Sequence, residues 1–167
     1  MIIFSTERLL VRRFTQLDKD AYFQISGSEE VMRYIRPANT REENDQFIVN
    51  VIEDYRKTAN RGRWAVVERV TNKLIGSFAI IPIPSMPEKT QLGYALIPSH
   101  WGKGLASELA KAGLDWFFSL DDEMVIYGVT EIPNLPSQKV LMKAGFLPNG
   151  SFMDGEKELL IFKAEKS

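Results

Sequence analysis

The residues with the clearest capacity for chemistry are Trp101-Gly102-Lys103-Gly104-Leu105-Ala106. Two glycines and an alanine let backbone N–H groups close on an anion with no Cβ in the way. A helix beginning at Leu105 adds the partial positive charge of its N-terminus. Such a turn is a phosphate cradle. It is not a Walker loop, which needs Ser or Thr after the lysine, where Gly104 stands. Nor is it a dinucleotide fingerprint, which needs a third glycine at Ser107. The bland alternative is a glycine-relieved strand-to-helix turn.

The remaining inventory narrows the chemistry. There is no cysteine and only one histidine, His100, on the outer approach to the cradle. Disulfides, thiolate nucleophiles and cysteine-ligated metals are excluded, and a zinc site would have to be built almost wholly from carboxylates. Net charge is −1, with 44% apolar and 26% charged residues. That composition suits an ordinary globule and argues against nucleic-acid binding by bulk attraction. No apolar run is long enough for a membrane span and no leader pattern opens the chain, so a cytoplasmic protein is expected.

Elements must position the cradle. Leu92, Tyr94 and Leu96 alternate as a half-buried strand does, and Pro98 stops it. From Leu105 the period lengthens to helical, through Leu109, Ala112 and Trp116. Upstream, residues 9–14 read as a strand. Residues 15–25 read as a helix with Leu17, Ala21 and Ile25 inward, stopped by Gly27, and Ser28 caps a further turn. After a loop at 33–39, Thr40-x-x-Glu43 is a capping box opening a longer helix, with Phe47, Ile48, Val51, Ile52 and Tyr55 as its stripe and Gly62 as its end. Strands at 63–70 and 74–83 flank the turn Thr71-Asn72-Lys73, and Pro82, Pro84 and Pro87 break the pattern before the next strand. Beyond the cradle helix and the polar Asp121-Asp122-Glu123 come a strand at 124–130 and a helix at 134–144 stopped by Gly145. A final hairpin turns at Asp154-Gly155. The order β-α-α-β-β-β-α-β-α-β-β predicts a mixed α/β fold, with all 167 residues in one domain and no repeat or linker.

Three blocks carry a family resemblance. The first is the stretch from Gln91 to Leu109, with Trp101-x-x-Gly104-x-Ala106 and a glutamate, Glu108, following. The second is Asn134-Leu135-Pro136-Ser137 with Val140, Lys143, Gly145 and Phe146. The third is Thr6-Glu7-Arg8-Leu9-x-Val11-Arg12. In this order they resemble the GNAT superfamily of N-acetyltransferases, and within it the Rim-type branch that acetylates ribosomal-protein N-termini and related amines.

That resemblance implies a mostly antiparallel sheet splayed open beside the cradle strand, with acetyl-CoA as acetyl donor. The coenzyme arm would pair with backbone exposed near Ala95, Leu96 and Ile97, and Leu96 or Ile97 could donate an N–H to the developing oxyanion. Trp101, Gly102, Lys103, Gly104, Leu105, Ala106 and Ser107 would hold the pyrophosphate. Asn134 would bond a coenzyme amide, or simply cap its helix. Ser137, one turn on, would protonate the departing thiolate. Many relatives use a tyrosine seven residues after this asparagine, where this chain has Leu141. Lys139 and Lys143 could meet the phosphates or be ordinary surface residues. The family's usual base glutamate is replaced by Gln91, which cannot take a proton. Glu131 is the substitute considered first, with Glu158, His100 and water behind it. The acceptor, a small amine or peptide N-terminus, would enter between the 33–39 loop and the 148–155 turn, near Arg33, Tyr34, Arg36, Asn39, Asn149 and Asp154. A homodimer is left open, and neither nucleic acid nor membrane is expected as a partner.

Overall fold

The computed structural model describes residues 1–120 and 123–167; the expected polar break at Asp121-Asp122 lies outside the described residues. Strands β1 (Ile2–Ser5) and β2 (Leu9–Arg12) lead to helices α1 (Lys19–Ser26), α2 (Glu29–Met32) and α3 (Arg41–Asp54). Strands β3 (Gly62–Glu68), β4 (Lys73–Ile83) and β5 (Met86–Leu96) follow, then α4 (Leu105–Ser119) and β6 (Val125–Glu131). Helix α5 (Leu135–Ala144) and strands β7 (Leu147–Asp154) and β8 (Lys157–Glu165) close the chain.

The strands form one sheet in the order β1-β2-β3-β4-β5-β6-β8-β7. Neighbours run antiparallel except β5 and β6, which run parallel and pair at Gln91↔Tyr127. Helices α4 and α5 cover one face, burying Leu105, Leu109, Leu114, Phe117 and Leu141 against Val66, Phe78, Leu92 and Ile126. Helices α1, α2 and α3 cover the other, burying Tyr22, Ile25, Met32, Ile48 and Val51 against Ala65 and Ala95. The mixed, mostly antiparallel sheet flanked by helices is the fold expected.

Capping explains much of the local structure. Thr40 accepts from the Glu43 N–H at 3.2 Å while the Glu43 carboxylate accepts from the Thr40 N–H at 2.8 Å, starting α3. Gly145, at φ 116, ends α5 in the left-handed region. Four details differ from expectation. Strand β1 was not anticipated, being four residues paired on one side only. Leu17 is 92% exposed, because Gln16–Asp18 form a separate 3₁₀ turn that rotates it off the face of α1. Helix α3 ends at Asp54, well before Gly62. Finally, Pro82 and Pro87 lie inside strands. Pro82 sits beyond the last β3 pairing at Gly62↔Ile80, so its missing N–H faces an edge and breaks no ladder.

Candidate active site

The sheet forks between β5 and β6. Beyond Gln91↔Tyr127 no further register pair joins these strands among the described residues. Along β5 the backbone alternates between its two neighbours. The Ile97 N–H donates to the Ile75 carbonyl at 2.9 Å and the Ile97 carbonyl accepts from the His100 N–H at 3.0 Å. Ala95 stands opposite Ser77, two residues back, and so turns its groups the same way, toward β4. The expectation that Ala95 and Ile97 present unpaired backbone is therefore corrected. Parity instead turns Tyr94 and Leu96 toward the fork. The Leu96 carbonyl accepts from the Trp101 indole N–H at 2.7 Å, which leaves its N–H as the donor aimed into the gap.

Above the fork lies the cradle. Gly102 and Gly104 have φ of 72° and 78°, a region that side chains other than glycine's rarely enter. Gly104 is the N-cap of α4 and supplies no side-chain cap. The first intrahelical bond runs from Glu108 to Gly104 at 3.0 Å, so the N–H groups of Leu105, Ala106 and Ser107 have no intrahelical acceptor. A Cβ on Gly102 would meet nothing within 4 Å, and one on Gly104 only the Arg8 guanidinium at 3.6 Å. An open concavity floored by free N–H groups fits a pyrophosphate.

The N-terminal block holds this loop in shape. Arg8 donates to the Lys103 carbonyl at 3.0 Å and to Glu108 Oε1 at 2.8 Å. Glu108 Oε2 accepts from the Arg8 N–H at 3.1 Å and from the Thr6 hydroxyl. Burial pushes the Glu108 carboxyl up, but hydrogen bonds from Thr6 and Arg8 prevail and hold it below its ordinary value. Thus Thr6 and Arg8 belong with the cradle, 95 residues and more along the chain, as its brace. His100 is committed similarly: its ring nitrogens contact Ser99 Oγ at 2.8 Å and Glu68 Oε2 at 3.1 Å.

On the α4–α5 face of the fork, the Tyr94 hydroxyl lies 3.0 Å from Ser137 Oγ. Asn134 accepts from the Ser137 N–H at 3.3 Å and so does cap α5. Leu141, where a tyrosine was absent from the expected position, is buried in the core against Gly128, where a Cβ would come within 2.8 Å of it. Strand β5 supplies a phenol instead. Burial raises the Tyr94 hydroxyl to about 12, against the smaller opposing effect of Ser137. Tyr94 was missed as a functional residue because it shares its face with Leu92 and Leu96 and reads as core. Lys139 and Lys143 lie exposed along α5.

Glu131 ends β6 on the opposite face from Ile126 and Gly128, hence opposite the Tyr94–Ser137 pair. Counting four residues from the Gln91↔Tyr127 pair sets it at the height of Ala95, across the fork. Its carboxylate is ion-paired with Lys157 at 3.2 Å. Gln91 reaches the Pro82 carbonyl at 3.5 Å. Glu158 is exposed in the last hairpin and accepts from Ser151 at 2.9 Å. Asn149 and Asp154 are exposed on β7.

A forked sheet, a glycine cradle at a helix start and hydroxyls facing the gap define an acyl-CoA-type transferase site. The chain belongs to the GNAT acetyltransferases: the acetyltransferase (GNAT) domain model matches residues 8–147. The N-acetyltransferase YoaA of Bacillus subtilis (strain 168) is 30% identical over 151 residues, covering 89% of this chain and 84% of that protein. A GNAT-family acetyltransferase from Bacillus anthracis superposes with a TM-score of 0.82 at 25% identity, over 99% of this chain and 98% of that one. RimL, a ribosomal L7/L12 alpha-N-protein acetyltransferase solved with coenzyme A, has the same fold at a TM-score of 0.82 and 18% identity, over 99% and 98% of the chains. No helix among the described residues is long and apolar enough to cross a membrane.

Proposed function

We propose that this N-acetyltransferase moves the acetyl group of acetyl-CoA directly onto a primary amine, of a peptide N-terminus or a small molecule, at the fork between β5 and β6. One observation carries the reading: hydroxyl donors sit on one face of the gap and a carboxylate on the other, at matching height. Acetyl-CoA, when bound, supplies an acetyl group activated as a thioester.

The protein's own residues do the rest. The free N–H groups of residues 105–107 hold the pyrophosphate, and Trp101, Gly102, Lys103 and Gly104 shape its seat. Lys139 and Lys143 add positive charge nearby. Leu96 donates its N–H to the carbonyl oxygen as charge gathers there. Glu131 takes the proton the amine must lose as its nitrogen bonds to the acetyl carbon. Ser137, backed by Tyr94, donates to the sulfur as the carbon–sulfur bond breaks. Asn134 keeps Ser137 in place by capping α5. We read residues 1–167 as one catalytic domain of the cytoplasm, and homodimerisation as an expectation for sedimentation velocity to test.

The decisive experiment measures thiol release with a panel of amines and N-terminal peptides, beside calorimetry with coenzyme A, ATP and NAD. Turnover with at least one amine and saturable coenzyme A binding are expected. Binding of ATP with none of coenzyme A would overturn the reading.

A further inference from the structure

The α1–α3 face of the fork carries two guanidiniums that the chemistry above leaves unused. Arg36 follows α2 and Arg63 lies in β3, and both flank one ring. Their Cζ atoms lie 4.9 Å and 5.3 Å from the Phe47 centroid, and Phe47 is itself stacked on Tyr22 at 5.5 Å. Three arginines of this region have carboxylate partners, Arg12 with Asp18 at 2.8 Å, Arg41 with Asp45 at 2.9 Å and Arg61 with Glu123, while Arg13 and Arg33 each lie singly over a tyrosine ring. Among the described residues Arg36 and Arg63 have no carboxylate partner, and the one polar contact of Arg36 is the Tyr22 hydroxyl at 3.5 Å. Burial first, and the Arg36 charge second, push the Arg63 guanidinium below its ordinary value. The Asp54 carboxylate and Tyr22 act the other way on Arg63 without forming an ion pair, so an anion in contact with both guanidiniums would still offset their mutual repulsion.

The surroundings leave room for one. Beside Arg36 is a hollow of about 490 Å³ whose lining includes Asn39, Phe47 and Asn50 and also Glu42 and Glu43, with Arg63 outside that lining on the far side of the Phe47 ring contact. The Glu43 carboxylate is already committed to the Thr40 N–H at 2.8 Å. Register connects the pair to the fork: Arg63 stands opposite Ala79, and Ala79 opposite Gly93. That row of small residues spans two strand spacings, about 10 Å; Ala79 is 8% exposed, and a Cβ on Gly93 would meet only the Ala79 Cβ, at 3.9 Å. The row ends at the first residue of β5 on this face beyond the fork.

We propose that the acceptor is an amine bearing a carboxylate or phosphate, which Arg36 and Arg63 bind while the nitrogen reaches the fork over Ala79 and Gly93. Planar guanidiniums suit both anions through paired N–H donors. This rests on the acetyltransferase reading and narrows it to a substrate class.

The test compares matched acceptors: a C-terminally amidated Ser-Glu peptide with its amidated Ser-Gln counterpart, free glutamate with glutamine amide, and phosphoethanolamine with ethanolamine. The three arms separate peptide, amino-acid and phosphate sources. In at least one arm kcat/KM should be tenfold or more higher for the anionic member, mainly through KM. Arg36→Gln and Arg63→Gln should bring that ratio toward one, and Arg63→Lys should retain part of it. Arg36→Gln decides alone should Arg63→Gln fail to fold. Equal or reversed preference in every arm overturns the anion site and leaves the acetyltransferase reading standing. Absence of thiol release with every acceptor overturns that reading instead. Calorimetry of the acetylated products on the coenzyme-loaded protein then still decides the anion site: tenfold tighter binding of an acidic product supports it, and equal binding overturns it.

Discussion

Tyr94 and Ser137 are 43 residues apart in sequence, yet their hydroxyl oxygens meet at 3.0 Å where α5 lies over β5. With the Tyr94 hydroxyl raised to about 12 by burial, the phenol stays protonated over the whole working range of pH. Each hydroxyl can thus donate where a thiolate departs. Tyr94→Phe and Ser137→Ala should each lower kcat roughly 10- to 100-fold with little change in coenzyme affinity, since the proton matters only in the transition state. The double variant should lose little more than the worse single, because the two act as one unit. Activity of the parent should persist through pH 10, with no fall at the ordinary tyrosine value. Loss of coenzyme binding in either variant would make the pair a binding contact instead.

Burial of two tyrosines also sets an alkaline limit on the fold. Tyr55, which donates to the Arg63 carbonyl at 2.5 Å and accepts from the Phe14 N–H at 3.0 Å, is likewise raised to about 12, chiefly by burial. Between pH 10 and 12 the unfolded chain gives up these protons while the folded chain keeps them, so stability falls as pH rises through that window. Below pH 10 both contributions are fully present. Melting temperatures between pH 9 and 11.5 should decline, and the slope should be shallower in Tyr94→Phe. An unchanged slope in that variant would mean that Tyr94 ionises alike in both states.

At the cradle, Gly104→Val should weaken coenzyme A binding by roughly 2 kcal/mol or more, as for lost hydrogen bonds to a charged group. The left-handed backbone at φ 78° adds a cost to the fold of about 1–2 kcal/mol without ligand. Gly102→Ala should show a similar division on a smaller scale. Calorimetry and chemical denaturation measure the two losses separately. Equal coenzyme binding by parent and variant would place the phosphates elsewhere.

Glu131→Gln should lower the rate most at low pH, where the amine is mostly protonated and a base is most needed. At high pH the free amine is abundant and the variant should approach the parent. A deficit constant across pH would make Glu131 a positioning residue, held by Lys157. No deficit at any pH would return the proton to water or to Glu158.

Much of this protein is written locally. Alternation at Leu92, Tyr94 and Leu96, the Thr40–Glu43 capping box and the left-handed stop at Gly145 depend on neighbours a few residues away, so periodicity and cap chemistry reveal them. The glycines of the cradle are legible for the same reason. What only the tertiary structure decided are the long-range meetings. Strand parity, set by the β4 register, turned Ile97 away from the fork and left Leu96 facing it. Packing of Leu141 against Gly128 closed the place where a tyrosine was sought, and β5 brought Tyr94 to Ser137. The Arg8–Glu108 brace and the Arg36–Arg63 pair join elements far apart in sequence. Which charges find a partner depends on how the helices and strands stack, and no single stretch of sequence carries that information.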